Sequence, residues 1–175
     1  MTMRRRLRAP LLLLALCIGL GVLVQLQLRH ERAAAHEPLT DIDPAGVHRF
    51  AVECRGCTPR RFERVAGHWQ MRAPHDAPAD EAAVARLLAI ATAPVLRRHA
   101  AGALDPARIG LQPPQALLRL DDRELRFGAT DAIDGDRYVD TGTAIVLVPE
   151  QYTALLFEPA EREIARAAST PAATP

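Results

Sequence analysis

Leu11–Leu28 is an almost unbroken apolar run, and it divides the chain into two folding problems. Arg4, Arg5, Arg6 and Arg8 stand before it; Arg29, His30, Glu31 and Arg32 stand after it. A helix needs about 20 apolar residues to cross a bilayer core. The run comes close, and Gln25 and Gln27 fall at the end where headgroups can receive them. The pattern predicts one N-terminal transmembrane signal-anchor over residues 11–28. Arginine density then sets its direction. By the positive-inside rule residues 1–10 stay in the cytoplasm, and the chain beyond residue 30 lies on the other side. In a bacterium that is the periplasmic face of the inner membrane. A cleaved signal peptide is the rival reading: Leu11–Val24 has a suitable length, and Ala33-Ala34-Ala35 offers a small-residue site. The charged stretch Arg29–Arg32 between them argues for retention. Cys17 makes a poor lipoprotein signal, because Leu16 before it is too large.

Composition excludes several chemistries. The chain has no lysine and no asparagine, and its one serine is Ser169. A phosphate-binding Walker loop needs Lys followed by Ser or Thr, and a Schiff base needs Lys. Ser169 lies among Ala, Thr and Pro in the tail, with no element to aim it as a nucleophile. Beyond residue 29 the chain carries 17 Arg against 21 acidic residues. That mildly acidic balance gives no electrostatic footprint for nucleic acid. Residues 29–45 read as a polar linker, 46–158 as one domain, and 159–175 as a helical extension with a disordered tail.

From Val47 onward the hydrophobic pattern has period two. Phe50, Val52 and Cys54 share one face, and Arg49, Ala51 and Glu53 the other. Arg60–Val65 and His68–Arg72, joined at Ala66-Gly67, complete a three-strand meander. Asp80 then caps a helix whose stripe is Val84, Leu87, Leu88 and Ala91, and Pro94 ends it. Asp105, Pro106 and Gly110 have the order of cap, first turn and stop, so the spacing predicts a second short helix. Ala116–Leu120 and Leu125–Phe127 form a hairpin, and Gly128–Gly135 a polar loop. Arg137–Asp140 and Thr143–Val148 form another hairpin, with Ala144–Val148 apolar enough to be buried on both faces. Pro149 opens a last helix that turns Leu155, Leu156 and Phe157 inward, and Ala160–Ala168 reads as a further helix. The expected class is α+β, an antiparallel sheet of meanders and hairpins with two to four packed helices, preceded by the transmembrane helix.

Cys54-Arg55-Gly56-Cys57 is the leading chemical candidate. In an oxidising compartment the two cysteines pair. A four-residue turn brings its ends within about 7 Å, close to disulfide range. The flanks read as strands, so a hairpin-tip staple is the simplest role. A redox pair normally sits at a helix N-terminus. Zinc would need Cys54, Cys57, His68 and His75, whose histidine spacing is wider than usual. Asp131, Asp134 and Asp136 cluster in one loop, but Gly135 falls in the wrong place for a calcium loop. No catalytic constellation, metal site or cofactor site emerges.

Several short landmarks follow one another in order. They are Gly67-His68-Trp69-Gln70-Met71 with Pro74, then Ala79-Asp80 with Leu87-Leu88, then Ile109-Gly110-Leu111 with Pro114, then Phe127-Gly128, then Arg137-Tyr138-Val139. Across residues 39–157 this succession resembles the bacterial family catalogued as domain of unknown function 4340. The resemblance implies a membrane-tethered, exported α+β domain. Some of that family's members occur beside ABC-type transport components, including gliding-motility auxiliary proteins. Longer members repeat the unit; this chain holds about one copy. The resemblance brings no catalytic residues. Its motif residues read as structural: Trp69 a core anchor, Gly110 a helix stop, Gly67 and Gly128 turn residues, with Pro74, Asp80, Pro114 and Tyr138 alongside. The functional expectation is a non-enzymatic accessory domain. It is held in the bilayer through residues 11–28, binds another envelope protein and is associated with an envelope or ABC-type transport system. The alternatives are a periplasmic thiol–disulfide protein using Cys54 and Cys57, and a small-ligand-binding domain.

Overall fold

The computed structural model describes Leu20, residues 37–100 and residues 102–165. The expected anchor at 11–28, apart from Leu20, lies outside the described residues, as does the tail beyond 165. Among the described residues no helix is long and apolar enough to cross a membrane. The chain divides into two compact units at His36/Glu37, and the second carries the sheet.

The strands of this unit are β1 (Arg49–Cys54), β2 (Arg60–Val65), β3 (His68–Ala73), β4 (Ala77–Pro78), β5 (Arg97–His99), β6 (Ala116–Leu120), β7 (Arg123–Thr130), β8 (Arg137–Asp140) and β9 (Ile145–Val148). Its helices are α1 (Glu81–Leu88) and the single turn α2 (Glu150–Thr153). All nine strands join one sheet in the order β4-β3-β2-β1-β6-β7-β8-β9-β5, and every neighbouring pair is antiparallel. The α+β class with an antiparallel sheet is therefore what the chain adopts. Two meanders meet at β1 and β6, where Val52 stands opposite Leu118.

Period two explains the layering. Phe50 and Val52 of β1, Phe62 of β2, Met71 of β3 and Leu118 of β6 are all buried. They pack against Val84, Leu87 and Leu88 of α1 and against Ile90 and Ala91 in the 3-10 turn that follows it. The chain is poor in aromatics, yet three cluster here. Phe50 stacks on Phe62 at 4.4 Å, and Trp69 meets Phe50 edge-on at 5.1 Å. Such pairs add about 0.5–1.5 kcal/mol beyond the area they bury. Ala66 and Gly67 both have positive φ, 50° and 88°, the signature of a type I′ hairpin turn matched to strand twist.

Five expectations need correction. Asp105–Gly110 forms turns, with no helix. The segment is too short to offset the cost of helix nucleation. Its backbone is used otherwise: Leu111 and Gln112 both donate to the Pro106 carbonyl, and Ala129 of β7 donates to that of Ile109 at 2.8 Å. Gly128 lies inside β7 instead of opening a loop, which shortens the polar loop to 131–136. The polar linker ends earlier than residue 45, because Leu39 is buried and its N–H bonds the Ala93 carbonyl at 2.9 Å. Phe157 is exposed and lays its ring over the Arg137 guanidinium at 4.6 Å, while Leu156 is fully buried. Finally, Ala160–Glu163 is a 3-10 turn, after which Ile164 bridges to Ala79.

Candidate functional site

Across β3, β2, β1, β6 and the start of β7 the sheet has one covered face and one open one, whereas β9 is buried on both, as its continuous apolar run led us to expect. α1, the 3-10 turns and the packed segment from Glu37 lie on the first. On the second, β3, β2, β1, β6 and β7 present Arg72, Arg61, Glu63, Arg49, Glu53, Arg119, Glu124 and Arg126 to solvent or part-way to it. The alternation that buries Phe50 and Phe62 forces Arg49, Ala51, Arg61 and Glu63 outward.

These charges are cross-linked. Arg119 reaches Glu53 at 2.6 Å and Glu124 at 3.0 Å, and Arg126 reaches Glu124 at 2.9 Å. Arg72 reaches Glu63 at 3.2 Å and Asp76 at 3.0 Å, and Arg49 reaches Asp122 at 3.0 Å. Hydrogen bonds from Arg119 and then Arg126 hold the Glu124 carboxyl below its ordinary range. Hydrogen bonds to Asp76 and Glu63 hold Arg72 above its own, and one to Glu124 does the same for Arg119. Exposed pairs of this kind contribute about 0–1 kcal/mol each, so their main effect is to fix side-chain positions.

Within that lattice lies a groove of about 480 Å³, floored by Ala51 and rimmed by Arg49, Glu53, Arg61, Glu63, Arg72 and Arg119. It exists because of register. Ala51 stands directly between Arg61 of β2 and Arg119 of β6, and its methyl group fills little of the space between them. Among the described residues Arg61 takes part in no ion pair, unlike its three arginine neighbours.

Two further arginines point the other way and are committed to the core. Arg137 of β8 is buried, forks onto Glu150 at 2.6 and 2.7 Å, and donates to the Gly128 carbonyl at 2.6 Å. Arg60 of β2 is wholly buried; it pairs with Glu163 and donates to the Leu156 carbonyl. Burial lowers the Arg60 pKa, and burial raises the Glu163 carboxyl to about 7 against the pull of Arg60. Both pairs tie the C-terminal turns to the sheet. Sequence reading passed over them, although parity held the signal: Arg60 shares its strand face with Phe62, and Arg137 with Val139.

The residues singled out in the sequence do not converge on this groove. Cys54 and Cys57 lie at disulfide distance at the end of β1, Cα atoms 5.3 Å apart, with Gly56 at φ 81° making the turn. Cys54 ends β1, and Cys57 lies in the bend that follows it. The zinc reading fails on topology. Cys54 lies at the end of β1 that neighbours the start of β2, while His68 faces Val65 at the other end. At about 3.3 Å per residue, that six-residue strand keeps them some 16 Å apart. His68 instead approaches Glu81 at 3.5 Å. The acidic loop is an internal cap: Asp131 accepts from the Ile133 and Asp134 N–H groups and from the Tyr138 hydroxyl. Asp134 pairs with Arg97, and Asp136 is raised mainly by burial. No group of three metal-ligating side chains forms among the described residues.

The motif residues spread through the framework. Trp69 is buried, and Arg64 lies over its ring at 5.0 Å. Pro74 follows β3, and Asp80 Oδ1 accepts from Ala83 N–H at 2.9 Å as the α1 cap. Gly110, at φ 71°, abuts Ala129; Pro114 bridges to Leu111. Gly128 is where that loop comes closest, since a Cβ there would sit 2.4 Å from the Ile109 carbonyl oxygen. Neither glycine is the helix stop or turn residue expected of it.

Residues 69–162, more than half of the chain, match the family described as "Domain of unknown function (DUF4340)". The match begins at Trp69, later than the 39 expected, so β1 and β2 precede it. No curated protein and no solved structure matches the chain.

Proposed function

Since the chain belongs to the DUF4340 family, we propose that it is a membrane-anchored accessory domain of the bacterial envelope, without catalytic activity of its own. It docks another envelope protein on its open sheet face. The observation that carries this reading is the face itself: five strands wide, bearing fixed charges and a groove, while the buried ion pairs are spent on holding the fold. The apolar run at 11–28, with arginines before it, supports an inner-membrane anchor that leaves the domain in the periplasm. The family likeness to proteins found beside ABC-type transport components makes a transport component the leading partner.

The address is tested by fusing alkaline phosphatase to the chain after His36 and, separately, at its C-terminus. Both fusions should be active in cells; inactive fusions would reverse the topology. The partner is tested by native gel electrophoresis of detergent extracts. The chain should migrate in a complex that the double variant Arg61→Glu, Arg119→Glu loses while remaining folded. A chain that migrates alone, or a complex indifferent to those changes, contradicts the reading.

A further inference from the structure

The geometry of the groove points to the kind of partner it takes. We propose that the notch over Ala51 receives a carboxylate from an extended, acidic segment of the docked protein. This rests on the open face being the docking surface. The groove is rimmed by Arg49, Arg61, Arg72 and Arg119, with Glu53, Glu63 and Asp121 as its acids. Each acid is already engaged. Glu53 pairs with Arg119 and Glu63 with Arg72, and Asp121 accepts from the His48 and Arg49 backbone N–H groups. Arg61 is the one rim arginine without an acidic partner among the described residues, since Arg49 pairs with Asp122, Arg72 with Glu63 and Asp76, and Arg119 with Glu53 and Glu124.

Facing residues on neighbouring strands have Cβ atoms about 5 Å apart. The Cβ atoms of Arg61 and Arg119 therefore stand about 10 Å apart across Ala51, which leaves room above its methyl group for a carboxylate beside Arg61, while Arg119 stays on Glu53 and Glu124. Arg61 can offer its planar fork to both oxygens, the geometry in which arginine recognises carboxylates best. An extended segment suits the site because its side chains alternate. One acid can enter the notch while its neighbours in sequence point away. A large residue at position 51 would remove the notch with no change in charge.

The test uses the full chain in a neutral detergent and a dye-labelled peptide of alternating Thr and Glu, with the Thr/Gln peptide as control. Binding is followed by fluorescence anisotropy at low salt. The Glu peptide should bind about tenfold tighter than the Gln peptide, and its affinity should fall as salt rises. Arg61→Gln should weaken it about tenfold, and Ala51→Ile should do the same. Arg86→Gln, on the solvent side of α1, should leave it unchanged. Circular dichroism melts establish that each variant is folded. Equal binding of the two peptides overturns the proposal, and so does wild-type binding by folded Arg61→Gln and Ala51→Ile. If the Glu peptide does not bind while the native complex persists in extracts, the acidic partner is wrong and the docking face stands. If it binds as expected but no complex forms, the notch stands and the accessory reading falls.

Discussion

At Gly128 a single hydrogen atom decides whether two segments can touch. The 105–112 loop crosses β7 there, and the space a Cβ needs is occupied by the Ile109 carbonyl. Gly128→Ala should therefore cost about 2 kcal/mol, in the range of overpacking substitutions, read as a lowered denaturant midpoint with unchanged slope. An unaltered midpoint would mean that the loop lies elsewhere. Glu163 makes a second residue-scale prediction. Burial raises its pKa from 4.5 to about 7 despite the neighbouring Arg60. The folded chain thus binds this proton more tightly than the unfolded one. The group's contribution to stability is complete below 4.5 and is lost as pH rises through about 7. Glu163→Gln should flatten stability over that window, as measured by chemical denaturation at pH 5 to 8. A slope of unchanged size would remove Glu163 as its source.

At the scale of elements, β1, β2 and β6 were legible because the sheet is one-sided there, and β9 because its unbroken apolar run is buried on both faces. Wherever one face meets the core and the other meets water, alternation writes itself into the residues, as in Phe50-Ala51-Val52. α1 was legible from its cap, and Asp80→Ala should cost about 1 kcal/mol, because the Ala83 N–H loses its acceptor. The same signs misled at Asp105–Gly110, where cap, proline and glycine occur in helical order but the carbonyl of Ile109 goes to β7. Local signs cannot report a hydrogen bond made to a strand twenty residues away. The Cys54–Cys57 staple closes a very short loop, so its reduction should cost only about 2 kcal/mol by the chain-entropy estimate. Thermal melts with and without reductant measure this. A collapse of the fold on reduction would show that the pair does more than pin a turn.

On the scale of the whole molecule, β1 and β6 join halves separated by more than sixty residues, and the groove arises only from that union. Ala51, Arg61 and Arg119 are unremarkable in sequence; register places the small residue between the two cations. For this reason the candidate site could not be read from the chain, whereas the family and the α+β class could. The edges of the sheet are protected. β4 is two residues long, contains Pro78 and adjoins the Ile164–Ala79 bridge; β5 carries Arg97 and Arg98. The broad open face is the surface on which we propose the partner docks. Cross-linking in intact cells tests this most directly, with photo-reactive residues at Gln70 and Leu117 on the open face and at Arg86 on α1. Amine-reactive reagents are of little use on a chain without lysine. The account predicts one defined adduct from Gln70 and Leu117, abolished by Ala51→Ile, and none from Arg86. Adducts from Arg86 with none from the open face, or equal adducts from all three positions, would contradict it.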